Sequence, residues 1–349
     1  MNPPALAIKP PDGTESPGLW TLAWRRFLRD RVGSASFAIV VLFVALSLGS
    51  AIGLIAPDWA REVAVSYAPP SFLRADSTRP AVTEAPAEIT GTPQEDPAIR
   101  DPLEDELADI KKTLAAGPGA MTRLETLPFG GDKWGRDVLQ KVIKGTETSL
   151  LVGLASAVLA AFIGTVLGAY AGYVGGRIDD LLNWLYSVLT SIPYLLLILA
   201  VAAVLNQKGT TTVILILGLS GWTGIFRLIR AEYLKHRTRE YVQAADAIGA
   251  SHRRRMFVHI LPNVSHVVLV QLSLHVVLFI KSEVILSFLG FGVGVDTVSW
   301  GSMLNEAQTE LITGKWWQLA AATGAMALLI TAFSLYTDAM RDALDPRLK

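Results

Sequence analysis

The chain has 349 residues and a formal net charge of zero; 51% of its residues are hydrophobic and only 18% are charged. It has no cysteine, which excludes disulfides and thiolate metal sites, and its five histidines form no His-x-x-x-His or Glu-x-x-His pair. The apolar residues are gathered into runs of the roughly 20 residues that a helix needs to cross a bilayer, which describes an all-α polytopic membrane protein.

Residues 1–33 read as a tail, rich at first in proline, glycine and polar residues and ending in Arg25, Arg26, Arg29 and Arg31. The apolar run that follows, 34–56, is too long for a cleaved signal peptide and predicts a first spanning helix. Residues 57–128 are a different material. Pro69, Pro70, Pro80, Pro86, Pro93, Pro97 and Pro102 interrupt any long helix, acids outnumber bases, and only a short helix over Pro102–Ala116 is expected. This segment is expected outside the membrane, opposite the arginine cluster.

A core follows over 129–337. Its second span is expected from Thr148 to Val174, with Gly153, Gly164, Gly168 and Gly172 spaced to let neighbouring helices approach closely. A third span, Leu181–Leu205, carries Pro193, which predicts a kink and offers a gating hinge. A fourth covers Val213–Ile229, and a fifth, Val264–Leu289, follows the basic segment 230–263. A glycine-rich loop through Trp300 then leads to a sixth span, Trp317–Tyr336, and a tail over 338–349. Six spans place the arginine-rich pieces on one side and the acidic 57–128 loop on the other, as the positive-inside rule requires.

The basic segment carries the most pattern. Thr238 is placed to cap a short helix, with Glu240 in its first turn, Gln243, and the small pair Ala244 and Ala245 behind it. Gly249 stops that helix, Ser251 caps the next, and Leu261-Pro262 marks entry to the fifth span. Without further context this is a helix–turn–helix lying on an anionic membrane surface. The triplet Arg253-Arg254-Arg255 stands between two spans, which points to anionic lipid or a partner's acidic rim and not to nucleic acid. Lys281 and Glu283 lie within the fifth span, where charge is costly. Glu283 is a candidate for lining a translocation vestibule, against the plainer alternatives of an ion pair or snorkelling.

The 240–262 segment resembles the "EAA" loop of bacterial ABC-importer permeases. Gly130-Gly131-Asp132-Lys133-Trp134-Gly135-Arg136-Asp137 is similar to the Gly-Thr-Asp-x-x-Gly-Arg-Asp motif of the second, C-type permease of dipeptide and oligopeptide importers. Ser287–Gly292 and the ending 341–347 fit the same branch. Two residues depart from the pattern: Gln243 stands for the usual glutamate and Gly131 for threonine. The resemblance implies a type I ABC importer permease fold with a cytoplasmic coupling helix. Glu240, Gln243, Ala244, Ala245, Gly249, Leu261 and Pro262 would then couple to an ATPase, and Asp132, Gly135, Arg136 and Asp137 would fix the elbow before the second span. The partners implied are a homologous second permease, two ATPase subunits holding ATP and magnesium, an extracytoplasmic solute-binding protein and membrane lipid. The location implied is the bacterial inner membrane, with both termini cytoplasmic.

No Gly-x-x-x-x-Gly-Lys-Ser/Thr loop occurs, since Gly314-Lys315 is followed by Trp316, so no enzyme activity or cofactor is expected on this chain. Peptides are the expected cargo, with nickel or another small solute as alternatives. An ATP-independent carrier is the competing class. Such carriers show broken midplane helices and inverted repeats, neither of which is evident in the sequence.

Overall fold

The computed structural model describes residues 26–73, 123–294 and 296–344. Among these residues the structure is helical, with β structure limited to isolated bridges. Two compact units are present, one of Ala60–Val138 and one of Met1–Trp59 with Leu139–Lys349. The short helix expected over Pro102–Ala116 lies outside the described residues.

In the helical unit, α1 (Arg31–Ala51) begins under an Asp30 cap whose carboxylate accepts from the Val32 amide at 3.0 Å. It ends before the expected residue 56, where Leu54 and Ile55 turn back onto the Gly49 carbonyl. α1 packs along α10 (Trp317–Leu344) through the mutually packed rings of Phe27, Phe37 and Tyr336. α2 (Val138–Val174) has 37 residues, about 55 Å of helix at 1.5 Å each. It starts ten residues before the expected Thr148, because its first turns carry Lys141, Lys144 and Glu147, which a search for apolar runs passes over. Glu147 accepts from Lys144 at 2.7 Å and from Ser50 at the end of α1 at 2.6 Å.

The third span is not one kinked helix. α3 (Gly176–Thr190) and α4 (Tyr194–Leu205) meet at 86°. Pro193 caps α4 with φ −55° and ψ 128°; it has no N–H to continue α3 and disfavours helical backbone at Ile192. Hydroxyls of Ser187, Thr190 and Ser191 bond back to carbonyls of α3, helping to end it. At 15 and 12 residues, neither arm alone matches the roughly 30 Å hydrocarbon core. A broken helix is therefore present, which removes its absence as an argument against a carrier.

α5 (Thr210–Ser220) and α6 (Thr223–His236) form one 27-residue stretch interrupted at Gly221-Trp222. α7 (Glu240–Ala247) is short, and α8 (His252–Phe288) runs without a loop through Pro262. Its Arg255–Ile260 portion is π-helical, a wider turn that lies next to the proline, which lacks an N–H for an ordinary helical bond. α9 (Trp300–Ile312) was not expected and replaces part of the glycine-rich loop. Five helical stretches are long and apolar enough to cross a bilayer, and the bent α3–α4 pair taken together is a sixth.

In the smaller unit, parallel bridges join Ala64 to Leu124 and Pro70 to Leu127 over a core of Ala64, Ala68 and Leu127. Its carboxyl-terminal part leads directly into α2.

Candidate functional site

The segment joining α6 to α8 is built as a clamp. α6 extends to His236 and α8 starts at His252, so the irregular part is far shorter than 230–263. Thr238 is not the cap of α7; its hydroxyl donates to the Lys235 carbonyl at 3.2 Å and closes the end of α6, while Arg239 holds the cap position without a side-chain bond. Gln243 donates to the Thr238 carbonyl at 3.2 Å, a bond that glutamate could not donate.

At the other end Gly249 adopts φ +81°, its amide bonding the Asp246 carbonyl at 2.8 Å and the Ala250 amide bonding Ala245 at 3.0 Å. That pairing is a Schellman cap, which needs the left-handed conformation glycine accepts most readily. Ser251 caps α8 as expected, accepting from the Arg254 amide. Asp246 pairs with Arg255 at 2.6 Å, holding α7 against the start of α8.

This arrangement gives α7 two faces. Val242 and Ala245 are buried within the chain, so Ala245 faces inward. Tyr241, Ala244 and Ile248 are exposed on an adjoining face, Ile248 at 83%, with the Tyr241 hydroxyl 2.8 Å from His236 Nδ1. Their spacing of three and four residues makes one outward apolar stripe. Leu261 and Pro262 lie within α8, past the π-helical turn.

Behind the clamp runs a glycine seam. A Cβ at Gly164 would lie 2.8 Å from the Trp222 carbonyl, one at Gly168 2.8 Å from Phe226 and one at Gly172 2.5 Å from Arg230. α2 thus meets α6 backbone to backbone over three successive turns, which only residues without a side chain permit. Tyr233, fully buried on α6, donates to the Met256 carbonyl at 3.0 Å and ties α6 to the π-helical turn.

Glu283 is fully buried and does not pair with Lys281, which is exposed. It accepts from Ser149 of α2 at 2.8 Å and from Ser287 at 2.7 Å. Those hydroxyl oxygens in turn accept from the Trp300 amide at 3.3 Å and the Val293 amide at 3.4 Å. In this conformation Glu283 anchors the turn leading into α9 and does not face an aqueous path. Pro193 sits at the α3–α4 break.

A second buried polar group was not anticipated. Lys141, 2% exposed, reaches Glu306 of α9 at 2.7 Å and Gln318 of α10 at 3.3 Å. These partners lie 165 and 177 residues from Lys141 in sequence, and no local signal could have joined them to it. α9 itself did have a signal: Ser299 and Ser302 form a capping box, followed by buried Trp300, Met303 and Ala307 at helical spacing.

In the smaller unit Asp132 is buried, and its Oδ1 accepts from the Trp134 and Arg136 amides at 2.8 and 2.9 Å. Gly135, at φ +76°, lies so close to the Ala64 carbonyl that a side chain would collide with it. Gly131 bridges Asp137, completing a closed loop immediately before α2.

Five long apolar helices and one bent pair describe a multi-pass membrane protein. The chain belongs to the binding-protein-dependent transport system inner membrane components, whose family model matches residues 164–349. Residues 18–70 match the N-terminal TM domain of oligopeptide transport permease C. The chain is 38% identical to the dipeptide transport system permease protein DppC of Bacillus subtilis over 221 residues, 63% of this chain and 69% of the relative. It is 35% identical to the oligopeptide transport system permease protein OppC of the same organism, over 63% and 72% of the two chains. Similarity to the DppC of Lactococcus lactis is lower, 28%, but covers 93% of this chain and 90% of the relative. It is a multi-pass inner-membrane permease subunit.

Proposed function

We propose that this chain forms half of a translocation path for peptides, and that separate ATPase subunits drive it by engaging α7. The observation that carries the reading is the outward stripe of Tyr241, Ala244 and Ile248 on a helix fixed at both ends. Exposed apolar residues on an otherwise polar surface segment mark a protein contact. The Schellman cap and the Asp246–Arg255 pair make α7 stiff enough to pass force into α6 and α8. Rigid-body movement of those helices would alternate access to the path.

The other half of the path is assigned to a homologous permease, and cargo delivery to an extracytoplasmic solute-binding protein. ATP and magnesium belong to the ATPases. Peptide cargo is inferred from the dipeptide and oligopeptide transporters named among the relatives. Counting α3–α4 as one crossing gives six spans, an even number that supports the reading of both termini on the cytoplasmic side with α7 and the arginines.

Co-purification with the neighbouring ATPase subunits tests this reading. Wild type is expected to retain them, and Ala244→Glu to lose them while keeping its own fold, because the new carboxylate would be buried unpaired in the contact. Energised vesicles carrying the assembled complex should accumulate a labelled dipeptide only with ATP. A wild-type chain that purifies alone and moves solute without ATP would replace this reading with an ion-coupled carrier.

A further inference from the structure

A cavity of about 560 Å³ opens beside the α7 clamp, lined by Tyr173, Val174, Arg237, Thr238 and His252. It lies where α2 ends, α6 ends and α8 begins. We propose that this cavity binds a phosphate-bearing anion, the headgroup of an anionic phospholipid or phosphate from solution.

The charge is one-sided. From Lys235 to Arg255 there are six basic side chains and two carboxylates. The acidic groups closest to the cavity are already engaged: Asp246 pairs with Arg255 at 2.6 Å, and Asp179 takes two hydrogen bonds from Arg230. Arg237 makes no ion pair among the described residues, yet it lines the cavity and its Nη1 lies near Gly175. A guanidinium with open donors presents the fork that matches a phosphate.

Histidine chemistry adds a second donor. Arg255 Nη2 lies 3.1 Å from His252 Nδ1, and a guanidinium can only donate, so Nδ1 accepts. The contacts to this ring fall on Nδ1, and Nε2 makes no hydrogen bond among the described residues. Tyr173 fixes the same ring, with its hydroxyl 3.2 Å from Nδ1. The cavity wall also includes exposed Val174, while Tyr170 of α2 meets Phe257 of α8 with centroids 6.2 Å apart. Polar donors beside apolar and aromatic side chains at a span end suit a lipid with its head in the cavity and its chains alongside.

The test uses the full chain in phosphatidylcholine nanodiscs with and without phosphatidylglycerol, read by native mass spectrometry of retained lipid. Wild type should retain phosphatidylglycerol over phosphatidylcholine, and Arg237→Ala should weaken that retention about tenfold, the loss expected for one charge-assisted hydrogen bond. Arg237→Lys should keep part of it. Because Arg237 is exposed, neither substitution disturbs packing, and an unchanged melting temperature checks this. Arg31→Ala, a cation at the start of α1, should leave retention unaltered. Titration of inorganic phosphate in phosphatidylcholine discs separates the sources: Arg237-dependent phosphate binding without a lipid preference assigns the site to soluble phosphate. No preference and no phosphate binding, or retention indifferent to Arg237, overturns the proposal. So does loss of retained phosphatidylglycerol when the ATPases bind, which would make the cavity a protein contact.

Discussion

Arg230 grips Asp179 through two parallel hydrogen bonds, Nε to Oδ1 at 2.6 Å and Nη2 to Oδ2 at 2.7 Å. The pair ties α3 to the helix that leads into α7, and Asn183 supports it by donating to Asp179 Oδ1 at 2.7 Å. Asp179→Asn removes the charge and is expected to lower stability by only about 1 kcal/mol, since the side chains are partly solvated. A double-mutant cycle with Arg230→Gln in detergent melts checks it; additivity of the two losses would show that the pair contributes nothing as a unit.

The glycine seam makes a sharper prediction. Gly172→Ala places a methyl group against the Arg230 carbonyl and should destabilise the protein by roughly 1–3 kcal/mol, the range for overpacking. Gly324→Ala, in the exposed interior of α10 with open space around it, should be neutral or stabilise by up to about 1 kcal/mol. Equal melting temperatures for the two variants would contradict the close approach of α2 and α6.

Glu283 is expected to behave as an anchor. Glu283→Ala should cost about 2–3 kcal/mol, because Ser149 and Ser287 lose a buried acceptor. Ser149→Ala combined with it should add little, because the two residues share one network. Glu283→Gln preserves shape and should restore most of the melting temperature. If Glu283→Gln abolished uptake while keeping that stability, the result would support a vestibule role.

Arg255→Ala releases Asp246, which is 62% exposed, but also removes a guanidinium that is only 11% exposed and lies over the Tyr173 ring, so some global destabilisation is expected with it. Hydrogen exchange over 240–249 should rise several-fold relative to α6, as the tether on α7 is lost. Unchanged local exchange would show that the Schellman cap alone holds the helix.

Much of this was legible in the sequence because it depends on local pattern. Apolar runs located the spans, Gly249 and Ser251 marked the ends of α7 and α8, and Gly164, Gly168 and Gly172 announced a close helix contact. What escaped depended on distant partners or on charge inside long helices. The first turns of α2 were passed over because Lys141 and Lys144 break the apolar run, although Lys141 finds Glu306 and Gln318 in the fold. Pro193 was visible, but a proline predicts an interruption and not its angle; the 86° turn also reflects the hydroxyls that end α3. Ala244 and Ala245 are alike in sequence, and only packing distinguishes the outward residue from the inward one.

Packed helices usually drift past one another by rotamer changes, each side chain yielding a little. Between Gly164 and Gly172, a stretch of about 12 Å, the three glycines of α2 have no rotamers to yield against the α6 backbone. If the proposed ATPase contact displaces α7, little of that movement should be lost between α6 and α2, and the stroke at one end of α6 should match the stroke that arrives beside it.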